Sequence, residues 1–206
     1  MNYVTEDIDV GARLREARMS QGLSLRSVAA DLGVSASLIS QVETGRVQPS
    51  VSTLYALVNL LGISLDELLG VAPRIMTPWP DLGGSDRPYP PAVQRAEDNP
   101  HIDMEDGVSW ERLAVGDDHG PADAFLVTYA PGATSSVEGK LMRHAGVEYG
   151  YIMEGELTLQ LEFDTFVLKA GDSLHFDSVR PHRYVNDGKT AARGVWFHLG
   201  RREQPK

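Results

Sequence analysis

The sequence contains no cysteine. That absence excludes disulfides, thiolate nucleophiles and thiolate-held metals, so any metal must be held by His, Asp, Glu or Met. No lysine precedes Lys140, so before that point only arginine offers a permanent cation. No apolar run approaches the roughly 18 residues needed to cross a bilayer, and no membrane association is expected. Residues Met1 to Asp7 offer neither a basic stretch nor an apolar one. Export through a signal peptide is therefore not expected, and the protein is read as cytoplasmic. Positive charge is also scarce: 19 Lys and Arg face 29 Asp and Glu, for a formal charge of -10. Such a balance speaks against nucleic acid unless a local pattern answers it. What is present is ordinary for a folded chain. Its 206 residues, 42% hydrophobic and 23% charged, suit one large domain or two small ones.

Residues 1–72 read as helix after helix. Gly11 to Gln21 holds good helix formers around Leu14, and Gly22 stops it. Ser24 caps a second helix containing Val28, Ala29 and Leu32, ended by Gly33. Ser35 caps a third over Ala36 to Thr44, stopped by Gly45. Pro49-Ser50 opens a fourth with Leu54, Leu57, Val58 and Leu61 at helical spacing, and Ser64 caps a short fifth through Leu69. Between residues 73 and 100 stand seven of the chain's twelve prolines and Gly83-Gly84. Neither helix nor central strand survives such a density of proline, so this segment is expected to be a linker, or an extended arm laid over the next domain with Trp79 and Tyr89 as its anchors. From residue 101 the period changes to two. Short strands are expected at 108–113, 124–129, 156–162, 166–168, 173–176 and 193–199, separated by Pro131-Gly132, Glu154-Gly155, Gly171-Asp172 and Asn186-Asp187-Gly188. Many short strands at near-regular spacing indicate a sandwich or barrel.

The segment from Leu25 to Gly45 resembles the phage-repressor-like, XRE-type helix-turn-helix, and the resemblance runs from about Gly11 to Leu69. Ala29 is small where two helices cross, and Gly33 permits the tight turn. Leu38, Ile39 and Val42 pack the third helix inward. Ala36, Ser37, Ser40 and Gln41 are left on its outer face, toward a DNA major groove, with Ser35 at its start. Arg26 and Arg46 flank that helix where phosphates would lie, which answers the local charge of five arginines against eight acids in residues 1–72. Arg18 and Glu43 stand where the family pairs an arginine with an acid, read here as structural.

Residues 143–155 resemble the first cupin motif, in which a His, a Glu four positions on and a Gly seven further surround a metal. His144, Glu148 and Gly155 match. The second motif spans Gly171 to Asn186 and includes His182. One departure stands out: the first motif usually has a further histidine, and Met142 occupies its place. The ligand set is thereby reduced to His144, Glu148 and His182, a facial set suited to Fe(II), Zn(II) or Ni(II) with open positions. Without an ion, the same three groups would hydrogen-bond one another or a ligand inside the barrel. Met142, Tyr151, His175, Arg183, Tyr184 and Trp196 are candidates for the wall or rim of an effector pocket. His101, His119 and His198 match no motif and are read as ordinary surface or strand residues.

The expected fold is therefore α+β and multidomain: a five-helix helix-turn-helix domain at 1–72, a linker at 73–100 and an all-β cupin, a double-stranded β-helix of jelly-roll type, at 101–206. The combined resemblance is to bacterial one-component transcription regulators. It implies paired readers of double-stranded operator DNA whose arrangement responds to a small-molecule effector. A small reader followed by a strand-rich domain with pairing edges points to a homodimer built mainly through the β-domain. An enzyme is the alternative, because hydroxypropylphosphonate epoxidases share the domain order and an Fe(II) site of the H-x-x-x-E … H type. A phosphonate needs a cationic grip, which the lysine-free N-terminal domain could supply only through arginine. An intact DNA-reading face also has no purpose in such an enzyme, and the regulator reading is preferred.

Overall fold

Serine starts four of the helices, each time by the same physics. In the computed structural model, which describes residues 9–70, 93–114, 122–136 and 139–200, Ser24, Ser35, Ser50 and Ser64 are extended. Each hydroxyl accepts a hydrogen bond from the backbone N–H three residues on. That satisfies one of the donors every helix start leaves open. The helices are α1 (Val10–Ser20), α2 (Leu25–Leu32), α3 (Ala36–Glu43), α4 (Val51–Leu61) and α5 (Leu65–Leu68). Gly33 ends α2 in the left-handed region at φ 66°, which lets α3 turn back across α2. Leu14, Val28, Ile39, Leu54 and Leu57 form the interior of this half. The expected ion pair is present: Arg18 Nε lies 2.6 Å from Glu43 Oε1 and ties α1 to the end of α3.

The strands are β1 (His101–Asp103), β2 (Val108–Arg112), β3 (Ala122–Tyr129), β4 (Val147–Glu154), β5 (Glu156–Leu161), β6 (Asp164–Lys169), β7 (Ser173–Asp177), β8 (His182–Val185) and β9 (Ala192–Leu199). They pair antiparallel in two sheets, ordered β1-β2-β3-β9-β4-β7 and β6-β5-β8. Alternation decides which side chains go in. Along β2, Val108, Trp110 and Arg112 are buried, and along β8, His182 and Tyr184. Gly155 joins β4 to β5 at φ 75°, where a Cβ would meet the Ala191 carbonyl at 2.4 Å, so glycine is required there. Of the expected linker, residues 71–92, with Trp79 and Tyr89, lie outside the described residues, as does His119. The rest includes a single 3-10 turn at Ala96–Asp98, and the Pro100 carbonyl accepts a bond from the Arg112 N–H.

The two halves touch through α4 and α5. Asp66 on α5 receives Arg112 of β2 at 2.7 Å, with both side chains almost fully buried. Arg112 also donates to Asp123 and to the Ala124 carbonyl, each at 3.1 Å. The Ser52 N–H donates to Ser135, and the Glu105 N–H to Pro49. A buried guanidinium with this many acceptors fixes geometry as well as charge.

Candidate functional site

The reader face follows from α3. Ile39 and Val42 are buried beneath it, while Ser35, Ser37 and Gln41 are exposed and Ala36 and Ser40 half-buried. Arg26 on α2 and Arg46 after α3 are both exposed at its flanks. All seven side chains proposed for DNA therefore lie on the helical half. Contact with the barrel comes through α4 and α5, and α3 leaves Ser37 and Gln41 in solvent.

The second polar centre is internal. His144 precedes β4, Glu148 lies on β4 and His182 begins β8, so three distant positions converge where the two sheets meet. His144 Nε2 is 2.9 Å and His182 Nε2 3.1 Å from Glu148 Oε1, and all three residues are buried. These approaches are close yet misaligned: none of the three atoms has a well-directed hydrogen-bond partner. The outer atoms are anchored instead. His182 Nδ1 lies 2.8 Å from the Arg180 carbonyl, which turns Nε2 inward, and Tyr184 Oη donates to Glu148 Oε2 at 2.9 Å. Burial pushes the Glu148 carboxyl up, but contact with His144 and His182 outweighs burial and holds it at about 2. It is ionised at neutral pH. Burial first, and then the Glu148 charge, raise the Tyr129 and Tyr184 phenols, so both remain proton donors.

A divalent ion fits this donor set. The candidate ligand atoms all lie within 4.8 Å of one another. Ligands about 2.1 Å from a common ion at right angles stand about 3 Å apart, close to the separations observed. Met142 sits beside the centre, its backbone paired with His182 in both directions, and its side chain lines the pocket. Tyr184 and Trp196 also line it, as expected.

Three of the proposed wall residues do not. Tyr151 and His175 lie on the exposed outer face of the large sheet, because on β4 and β7 they alternate with the inward-facing residues. Arg183 points away from the pocket between buried His182 and Tyr184, and its Nε donates to Gln160 at 3.1 Å. In the other direction, His198 is no ordinary strand residue. Its ring packs among Trp110, Phe125 and His144, and burial lowers its pKa to about 3, so it is neutral. The mouth is closed by a residue from the helical half. Tyr55 of α4, 8% exposed, stacks on His144 with ring centres 4.3 Å apart and planes 5° apart. Its hydroxyl bonds His198 Nδ1. The space left behind it, bounded by Trp110, Tyr129, Tyr184, Trp196 and Glu148, has a volume of about 20 Å³, room for about one water. Tyr55 gave no sequence signal beyond its place on an apolar helix.

Comparison with known proteins accords with both halves. The helix-turn-helix family model matches residues 14–68 and the cupin-domain model residues 125–198. The HTH-type transcriptional regulator PuuR of Escherichia coli is 31% identical over 194 residues, covering 94% of this chain and 96% of that protein. A crystal structure of an HTH_3 family transcriptional regulator from Vibrio cholerae has the same fold, at TM-score 0.66 and 20% identity over 95% of this chain and 97% of that one. The hydroxypropylphosphonic acid epoxidase from S. wedmorenis covers 94% of this chain and 98% of its own, at TM-score 0.47 and 17% identity, a likeness too loose to bear on function. Since the likeness to PuuR runs through reader and barrel alike, the chain belongs to the family of XRE-type helix-turn-helix transcriptional regulators with a C-terminal cupin domain.

Proposed function

We propose that this regulator reads a two-fold operator with α3 and senses a small molecule in its barrel, at a centre formed by His144, Glu148 and His182. The observation that carries the sensing role is the convergence of three buried ligand atoms without aligned partners, one of them on Glu148, which also lines the adjoining pocket. Groups left so are costly unless a cation or ligand satisfies them. His144, Glu148 and His182 would hold Fe(II), Zn(II) or Ni(II), and the ion would supply a Lewis-acidic anchor for an oxygen or nitrogen of the effector. Met142, Tyr184 and Trp196 would shape the space around it. An effector acts only by binding two arrangements of the protein unequally.

On the DNA side, Arg26 and Arg46 contact phosphate, and Ser35, Ser37 and Ser40 face the groove. Gln41 offers a bidentate pair to adenine, and Ala36 a contact to a thymine methyl. One reader of this size touches few base pairs, so two act together as a homodimer on half-sites roughly 34 Å apart. The large sheet supports pairing through the β-domain, because Tyr149, Tyr151, Met153 and Phe197 stand exposed on its outer face. Action on operator DNA supports a cytoplasmic location.

Metal analysis of protein purified without chelator tests the centre. About one ion per chain is expected in the wild type and none in His182→Ala. A wild type without an ion, or a variant that keeps it, would remove the metal from the proposal.

A further inference from the structure

The pocket that Glu148 lines beside the triad is covered on one side by a part of the reader domain. Tyr55 belongs to α4, where Leu54, Leu57, Val58 and Leu61 are buried in the helical core and Val51 lines the pocket beside Tyr55. Tyr55 lies flat on His144, edge-on to Trp110 at 5.5 Å, and bonded to His198. A phenol is a poor choice for packing helices together, because its hydroxyl demands a partner when buried. Here the partner is supplied by the barrel. With the ring in place, the space beside Glu148 is about 20 Å³, too small for any organic molecule.

Building on the sensing role proposed above, we infer that Tyr55 is the pocket's resident occupant and the link between effector and reader. A molecule bound between the triad and Trp110 must expel this phenol. Expelling it withdraws α4 from the barrel and loosens the neighbouring contacts, Ser52 to Ser135 and Asp66 to Arg112, that fix the reader's orientation. The docked reader and the occupied pocket are therefore mutually exclusive states of one chain. That is the differential affinity an effector needs in order to act at a distance. Effectors would share one feature, a flat or narrow group that takes the place of the ring against His144 while a polar atom reaches Glu148 or its ion.

The test uses the full-length protein, p-cresol as a probe with the shape of the lost side chain, and a duplex selected from random DNA by the wild type. Tyr55→Ala should bind p-cresol, as apolar cavities bind small aromatics, with a change in the fluorescence of Trp110 and Trp196. The wild type should not bind it. In Tyr55→Ala without probe, amide exchange in α4 should rise and affinity for the duplex should change about fivefold or more. p-Cresol should return both to wild-type values while leaving the wild type unaffected. A variant that binds p-cresol but keeps wild-type exchange and DNA affinity throughout overturns the link and leaves the pocket standing. Unchanged exchange without probe binding overturns it too. If the wild type selects no duplex, the reader assignment fails, and exchange and probe binding still decide the role of Tyr55. Should Tyr55→Ala not fold, Tyr55→Phe reads the same contact. It keeps the stacked ring and loses the bond to His198, so α4 exchange should rise by a smaller factor, and exchange identical to wild type would overturn the inference.

Discussion

The exposed face of α3 and the buried triad of the barrel are both polar surfaces, but they are held in opposite ways. On α3, the serines and Gln41 project into solvent from a helix whose position is set by Ile39, Val42 and the Ser35 cap beneath them. Ser35 also caps the helix, while Ser37 and Gln41 are exposed and take no part in the core. In the barrel, Glu148, His144 and His182 are buried among Tyr55, Phe176, Tyr184 and Trp196 and are oriented by further bonds from Tyr184 and Arg180. Specificity at the first surface can change at little cost to stability. At the second, binding and stability are the same interactions.

The contrast is sharpest at Glu148. Glu148→Gln leaves two buried imidazoles facing a neutral amide, and should lower unfolding free energy by about 3–5 kcal/mol, read by urea denaturation. The loss should be confined to the barrel, with the helical far-ultraviolet signal retained at moderate denaturant. Asp66→Ala comes next. It strips Arg112 of its shortest ion pair but leaves Asp123 at 3.1 Å, so about 3 kcal/mol is expected, the lower end for breaking a buried pair. Gln41→Ala should shift affinity, not stability, by about 1–3 kcal/mol at one base pair, with an unchanged urea midpoint. Ser35→Ala removes a cap and should cost about 1 kcal/mol of stability. The smallest effect is at Arg46. Arg46→Ala should weaken all duplexes alike and reduce the slope of log affinity against log salt by about one.

The two regions also differ in what the sequence discloses. Helix caps and stops are local, so Ser24, Ser35, Ser50, Ser64 and Gly33 mark the helical elements to within a residue or two. The triad is legible because three residues at fixed spacings belong to two motifs, although His144 and His182 meet only through folding. Tyr151, His175 and Arg183 were expected near the pocket because they neighbour those motifs, but a strand sends adjacent residues to opposite faces, and they face outward. Tyr55, His198, Asp66 and Arg112 had no such signal. Tyr55 and His198 are 143 positions apart, and Asp66 and Arg112 are 46 apart. Each pair joins two halves whose patterns are complete without it. The apolar pattern of the fourth helix does not say that the surface covering Tyr55 belongs to the other domain.

The central claim is that sequence is read by α3 alone, while the barrel decides when it is read. Selection from a pool of random duplexes, run in parallel on the wild type, Gln41→Ala and His182→Ala, tests it most directly. The wild type and His182→Ala should enrich the same two-fold motif, with half-sites roughly one helical turn apart, and Gln41→Ala should lose preference at one position in each half-site. A wild type that enriches no motif, or a His182→Ala protein that enriches a different one while Gln41→Ala leaves it unchanged, would contradict the account.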